Sequence, residues 1–218
     1  MNRQLDLVLM LLCLCGCSAD GPAAPETAGT ARTKRADDRS GDDTARTSFG
    51  PIRFTSPTGW IPNRPKDGEV CFFAPEPDRW RKFGFRPNLG IRLRPHPGVS
   101  LDEFRKMLDR ALADSADRLN ETIVASAKKE ANSGIDISFQ GRPRYTIEAR
   151  ERDGTRVLCT TCWSAFELPE GIVVTKTHGM QFLGPDALYT VSLTFPQEVE
   201  KEMDQIWESF VKSLRIEK

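Results

Sequence analysis

The sequence predicts an α+β domain, a twisted antiparallel sheet packed by a central helix and a C-terminal helix. Between Tyr145 and Phe195, apolar and polar residues alternate in runs separated by short turns, which is typical of a meander of antiparallel strands. Two segments outside that block repeat apolar residues every three or four positions, as helices that cover a sheet face do. About 170 residues, numbers 49–218, suffice for one domain with a sizeable core.

Residues 1–16 have the pattern of a secretory signal peptide. Arg3 lies near the start, an apolar run extends from Leu7 to Leu14, and Gly16 precedes Cys17. The apolar run is too short to span a bilayer. The sequence Leu-Cys-Gly-Cys that ends at Cys17 resembles the signal of bacterial lipoproteins, which implies cleavage before Cys17 and acylation of that residue. An ordinary cleaved signal peptide or a short uncleaved anchor is the alternative.

The lipoprotein resemblance implies a lipid-anchored protein of the bacterial cell envelope, with the membrane as a partner through acyl chains on Cys17. Each acyl CH₂ buried in lipid contributes about 0.8 kcal/mol, so two or three chains hold a protein firmly. Ser18 follows the cysteine. In lipoproteins of bacteria with two membranes, this favours the outer membrane, facing the periplasm or the outside.

Residues 17–48 are predicted to form a disordered tether. Between Ser18 and Ser48 there is no Val, Ile, Leu, Met, Phe, Trp or Tyr, so the segment cannot bury enough apolar surface to fold. As a flexible coil it has a root-mean-square reach of about 30 Å. Its basic residues are interleaved with acidic ones, which favours a solvated tether over a phosphate-binding arm.

The first elements of the domain are short. Pro57 and Gly59 predict a turn that presents Trp60, and Val70–Phe73 and Leu89–Leu93 predict strands. A long helix is predicted next, because Ser100 and Glu103 form a capping box. The apolar residues that follow at helical spacing are Leu101, Phe104, Leu108, Ala111, Leu112 and Leu119.

The strand block and the last helix complete the domain. Asp153-Gly154 is a strong hairpin signal, and Pro169-Glu170-Gly171 separates the next two runs. The predicted strands are Ile135–Phe139, Tyr145–Ala149, Val157–Leu168, Ile172–Phe182 and Tyr189–Phe195. A helix is predicted from Pro196, with an apolar face of Val199, Met203, Ile206, Trp207, Phe210 and Leu214.

Framework residues of this domain resemble the PsbP-like/DcrB superfamily over nearly the whole of residues 49–218. The resemblance rests on the Phe54–Trp60 turn, the helix opening Ser100–Phe104 and the ending Ile206–Leu214. It implies a PsbP-like α/β sandwich and a bacterial lipoprotein that acts as an accessory or binding protein. The superfamily shares no set of catalytic residues, so the resemblance transfers none.

Cys159-Thr-Thr-Cys162 is the clearest candidate for chemistry. Because it lies in a predicted strand, its two thiols should face opposite sides of the sheet, unlike a thioredoxin-type pair at a helix N-terminus. Cys71, Cys159 and Cys162 are the domain's three cysteines, and a structural disulfide from Cys71 to either of the others is favoured without choosing the pair. Redox chemistry, or metal binding with His178, is the alternative.

A basic, aromatic stretch is the best candidate for a binding surface. Six basic residues and no acidic residue lie between Arg79 and Arg94. Together with Trp60, the residues Arg79, Trp80, Arg81, Lys82 and Arg86 are candidates for contact with an envelope protein, a glycan or a lipid headgroup. The composition favours a strand connection, whose aromatic residues enter the core while its cations stay solvated.

The function predicted from these features is that of a membrane-anchored, non-catalytic binding or accessory module without a cofactor. Without its signal peptide, the chain has 30 basic and 30 acidic residues, which gives no general attraction to nucleic acid. His96 and His178 have no nucleophile at a recognised spacing and are interpreted as structural histidines. The alternative function is a thiol-redox or metal-binding envelope protein that uses Cys159 and Cys162.

Overall fold

The computed structural model of the chain describes residues 46–63, 68–129, 145–168 and 171–217. The predicted signal peptide, Cys17, nearly all of the tether and the predicted strand at 135–139 lie outside these residues. Within them the elements are β1 (Arg46–Phe49), β2 (Ile52–Thr55), β3 (Ile61–Pro62), β4 (Glu69–Phe73), α1 (Pro77–Trp80), β5 (Asn88–Pro95), α2 (Leu101–Lys129), β6 (Tyr145–Arg152), β7 (Thr155–Leu168), β8 (Gly171–Leu183), β9 (Ala187–Pro196), α3 (Glu200–Ser213) and β10 (Arg215–Ile216), with 3₁₀ turns at Arg81–Phe83 and Gln197–Val199.

A seven-stranded antiparallel sheet is the centre of the fold, in the order β3-β4-β5-β9-β8-β7-β6. Successive residues of a strand face opposite sides, and Val157 and Leu158 of β7 show which helix covers each side. Val157 belongs to the core that contains Met203 of α3, whereas Leu158 belongs to the core that contains Leu108 of α2. The predicted α+β architecture is therefore confirmed, with one long helix on each face.

A second, three-stranded sheet joins the two ends of the domain. Its order is β1-β2-β10, and Ile52 of β2 lies opposite Ile216 of β10. Both side chains are buried in the core beside α3. Strand β1 begins at Arg46, three residues before the predicted domain boundary, because pairing with β2 uses backbone groups and needs no apolar side chain.

The predicted start of α2 is confirmed, whereas that of α3 is not. At the start of α2, the Glu103 amide donates to Ser100 Oγ over 3.2 Å and the Ser100 amide donates to Glu103 Oε2 over 2.9 Å, which confirms the capping box. Helix α3 starts later than predicted. Pro196 ends β9, and a 3₁₀ turn precedes Glu200.

The Asp153-Gly154 hairpin forms as predicted. Asp153 and Gly154 both have positive φ, 49° and 71°, which is the backbone of the tight turns that match strand twist. The Asp153 carboxylate also accepts the Ile216 amide over 3.0 Å, so this hairpin holds the last strand of the chain in place.

Candidate functional site

An open groove of about 380 Å³ lies where α3 crosses the face of β6, β7 and β8. Its floor comes from β6, β7 and β8, whose alternate side chains point to the α3 side of the sheet. Its wall comes from one side of α3. The residues that line it are Thr146, Glu148, Arg150, Cys159, Thr160, Thr161, His178, Gly179, Met180, Trp207, Glu208, Val211 and Lys212.

A chain of hydrogen bonds crosses the groove from the sheet to the helix. Thr161 of β7 lies directly opposite His178 of β8, and Thr161 Oγ1 is 3.0 Å from His178 Nδ1. His178 Nε2 is 2.7 Å from Asp204 Oδ1 of α3. The His178 ring stacks on Trp207 at 5.5 Å between centroids and 14° between planes, which fixes its orientation.

The direction of these hydrogen bonds follows from the Asp204 carboxylate. A carboxylate only accepts, so His178 Nε2 carries the proton that it donates to Asp204. Burial lowers the pKa of His178, and the neutral ring therefore has an unprotonated Nδ1. That nitrogen accepts a hydrogen bond from the Thr161 hydroxyl, which leaves the lone pairs of the Thr161 oxygen as hydrogen-bond acceptors at the groove.

Lys176 holds the carboxylate in place. Its side chain is 6% exposed, and Nζ donates to Glu200 Oε1 over 2.6 Å and to both oxygens of Asp204 over 2.9 and 3.0 Å. A buried ammonium group must be paired, so Lys176 fixes the first turns of α3 on β8. Asp204 therefore has two partners on one strand, Lys176 and His178.

The two thiols of the C-x-x-C sequence lie on opposite faces of β7, as predicted. Cys159 packs against the core beside α3, and Cys162 is buried in the core beside α2. Burial raises the pKa of the Cys159 thiol, which disfavours the reactive thiolate. Within the described ranges, no group of three or more His, Cys, Asp or Glu residues is placed to hold a metal ion. Because the two thiols face opposite sides of β7, the geometry does not support a disulfide between them or their joint ligation of one metal ion.

The prediction of a disulfide between Cys71 and one of the two cysteines of β7 is wrong. Cys71, Cys159 and Cys162 are all thiols in the structure. Three strands separate β4, which carries Cys71, from β7. Neighbouring strands are about 4.8 Å apart, so the separation is about 19 Å, whereas a disulfide requires Cα atoms within about 7 Å.

The aromatic part of the predicted binding surface is wrong as well. Trp60 and Trp80 are only 8% and 2% exposed and belong to the core beside α3. The Trp60 amide donates to the Pro57 carbonyl, which turns the ring inward rather than presenting it. Trp80 Nε1 donates to the Pro75 carbonyl over 2.7 Å, so its polar atom is satisfied inside the protein.

Arg79, Arg81 and Lys82 of that stretch are exposed, and the two arginines pair with acids. Arg79 pairs with Glu202 of α3 at 2.5 Å, and Arg81 pairs with Asp78 at 2.9 Å. Lys82 lies over the Phe83 ring. Arg86 is half-buried and donates to the Ala74 carbonyl over 2.6 Å. The alternative, a strand connection with core aromatics and solvated cations, describes this segment better than an anion-binding loop does.

Sequence reasoning missed Thr161 and Asp204, and it interpreted His178 as a structural histidine, with metal binding beside the two cysteines as the alternative. The strand register contained the missing information. Leu168 lies opposite Gly171 across the β7–β8 hairpin, and counting outward from that pair places Thr161 opposite His178. Asp204 is three positions before Trp207 on α3, hence on the same helix face.

No protein-family model matches the chain, and no curated protein matches its sequence. Among solved structures, it is similar to cyanobacterial PsbP (CyanoP) from Synechocystis sp. PCC 6803, with 15% identity and a TM-score of 0.44, over 81% of this chain and 94% of that one. It is also similar to LpqN of Mycobacterium tuberculosis, a protein involved in cell envelope biogenesis, with 10% identity and a TM-score of 0.43, over 82% and 87% of the two chains.

A third similar structure comes from Bacteroides thetaiotaomicron VPI-5482, with 11% identity and a TM-score of 0.37. The match covers 77% of this chain and 46% of that one, so this chain spans less than half of that protein. In the part of the chain that the structure describes, no helix is both long and apolar enough to cross a membrane. Membership in the PsbP-like/DcrB superfamily stays a prediction from the framework residues.

Proposed function

We propose that this protein is an envelope lipoprotein, anchored through acyl chains on Cys17, whose domain binds a ligand in the groove between α3 and the sheet without chemically changing it. The observation that carries the proposal is the groove itself, in which Asp204, His178 and Lys176 hold the Thr161 hydroxyl in one fixed orientation. A binding site needs such pre-organised polar groups beside apolar surface. The predicted tether between Cys17 and the domain would let the groove lie about 30 Å from the membrane.

The groups in the groove are better suited to binding than to reaction. The raised pKa of Cys159 leaves a weak nucleophile. Both ring nitrogens of His178 are already engaged. Thr161 is in the middle of β7 and is paired with residues of both neighbouring strands, so its backbone cannot move toward a substrate.

Blocking the groove tests the proposal. The full chain in lipid vesicles is heated with and without lipid, glycan and protein fractions of the envelope, and the unfolding temperature is compared between wild type and Val211→Trp, which fills the groove. Ser209→Trp, on the exposed side of the same helix, is the matched control. We expect one fraction to stabilise wild type and Ser209→Trp but not Val211→Trp, and the bound component to be recovered with unchanged mass. No stabilisation by any fraction, or equal stabilisation of Val211→Trp, would contradict the proposal.

One observation favours a second candidate function. Thr161, His178 and Asp204 are hydrogen-bonded in the order hydroxyl, imidazole, carboxylate, which is the order that acyl-transfer enzymes use to activate a hydroxyl nucleophile. Hydrolysis of p-nitrophenyl acetate by the full chain separates the two candidates. Ester hydrolysis that is lost in Thr161→Val and retained in Thr161→Ser would favour the enzyme, and equal rates in all three proteins would favour the binding module.

A further inference from the structure

The charges around the groove are balanced, which is the first clue to its ligand. Two acids and two bases line it, Glu148 and Arg150 from β6 and Glu208 and Lys212 from α3. Arg150 pairs with Glu148 at 2.6 Å. Glu208 and Lys212 are four residues apart, one turn of α3, where opposite charges attract. This balance selects against strongly charged ligands of either sign.

The polar atoms of the floor are the second clue. The Thr161 hydroxyl donates its hydrogen bond to His178 Nδ1, so its oxygen is left to accept a hydrogen bond from a ligand O–H or N–H. Thr146 of β6 lies directly opposite Thr161 in the strand register, which places a second hydroxyl group on the same face of the sheet. The floor therefore suits a ligand with more than one hydroxyl or amide group.

Apolar side chains form another part of the lining. Met180, Trp207 and Val211 line the groove beside the two threonines. The volume of about 380 Å³ is near the lower end of small-molecule sites, which run from about 300 to 1,000 Å³, and leaves room for about one or two sugar rings. A saccharide ring combines hydroxyl groups at its edge with a C–H face, and so matches both kinds of lining.

We infer that the groove binds a neutral saccharide, with a sugar hydroxyl or N-acetyl N–H donating to Thr161 Oγ1. The inference rests on the proposed binding function and names the ligand class of the same groove. Glu148, Arg150, Glu208 and Lys212 form the rim around the sugar, and the apolar residues of α3 lie against its C–H face.

Ligand-observed saturation-transfer NMR with the full chain in lipid vesicles tests this inference. The probes are N,N′-diacetylchitobiose, a neutral disaccharide, and cellobiouronic acid, a carboxylated disaccharide of similar size. The variants are Thr161→Val, which keeps the side-chain shape but removes the hydroxyl, Thr161→Ser, which restores it, and Thr155→Val, a control on the same face of β7 outside the groove.

We expect the neutral disaccharide to bind and the acidic one to bind at least tenfold more weakly. Thr161→Val should weaken binding of the neutral sugar about tenfold, the effect of one lost hydrogen bond, while Thr161→Ser and Thr155→Val should bind like wild type. No binding of the neutral sugar, equal binding of both sugars, or equal binding by Thr161→Val would overturn the inference. If Val211→Trp still blocks stabilisation by an envelope fraction, only the saccharide assignment fails. If no fraction stabilises the protein either, the binding function fails with it.

Discussion

Replacing Trp80 decides whether the basic, aromatic stretch is core or contact surface. Trp80 is 2% exposed, its Nε1 donates to the Pro75 carbonyl over 2.7 Å, and its ring lies 6.2 Å from the Phe83 ring. The Trp80 side chain is therefore part of the core and holds α1 against it. If this is correct, Trp80→Ala should act on stability rather than on membrane contact.

The expected magnitude follows from the burial of the side chain. Truncating a fully buried aromatic residue to Ala costs about 3–5 kcal/mol of unfolding free energy. For a domain of this size each kcal/mol lowers Tm by about 2–4 °C, so Tm should fall by about 6–20 °C. Trp80→Phe, which keeps a ring but loses the bond to Pro75, should cost about 1–2 kcal/mol.

The assay compares urea unfolding with sedimentation on phosphatidylglycerol vesicles for the full chain carrying Cys17→Ser. Arg81→Ala is the matched control, because the Arg81 side chain is 82% exposed and its partner Asp78 is exposed as well. Arg81→Ala should leave the unfolding midpoint unchanged. A core role for Trp80 is refuted if Trp80→Ala keeps the wild-type unfolding midpoint and instead abolishes vesicle binding.

Three further predictions concern the anchor, the histidine and the thiols. Cys17→Ser should abolish incorporation of labelled palmitate into the protein, whereas Cys15→Ser should not; labelling retained in Cys17→Ser would disprove the assigned position. Because burial lowers the pKa of His178, the unfolded state binds the proton more tightly than the folded state does. Urea unfolding should therefore show a lower free energy of unfolding at about pH 5 than at about pH 7, and His178→Asn should flatten this pH dependence. An equally steep pH profile in the variant would contradict the prediction. Alkylation and mass spectrometry without reductant should find Cys159 and Cys162 as thiols that react fully only after unfolding; a bond between them would contradict the regular strand.

Patterns that repeat along the chain predicted most of the main sheet and the long helices. The alternation from Tyr189 to Phe195 predicted strand β9, and the capping box at Ser100 predicted the start of α2. Both are local patterns, and tertiary packing stabilises the elements that they predict. The three-stranded sheet was not predicted, because β10 is two residues long and two residues carry no periodicity. Its pairing partner is more than 160 residues away in sequence.

The candidate site was less predictable than the fold, for a related reason. Composition shows that Trp60 and Trp80 are large and apolar, but the direction in which each ring points depends on the turn at Pro57 and on a carbonyl at Pro75. The charges around Arg79 depend on Glu202, which is 123 residues away in the sequence. Local sequence can suggest a contact surface, but the charge and exposure of that surface depend on contacts with residues distant in the sequence.

The pairing of β10 with β2 has a consequence for how the protein is made. Ile216 pairs with Ile52 in the β2–β10 sheet, and its amide donates to the Asp153 carboxylate. The Glu217 amide donates to the Pro51 carbonyl over 2.8 Å. During synthesis β2 is made long before β10, so the three-stranded sheet is complete only when residues 215–216 have followed. A chain that stops before β10 therefore leaves Ile52 of β2 without its partner Ile216, which would expose apolar surface and make the incomplete protein a substrate for proteases before it could accumulate.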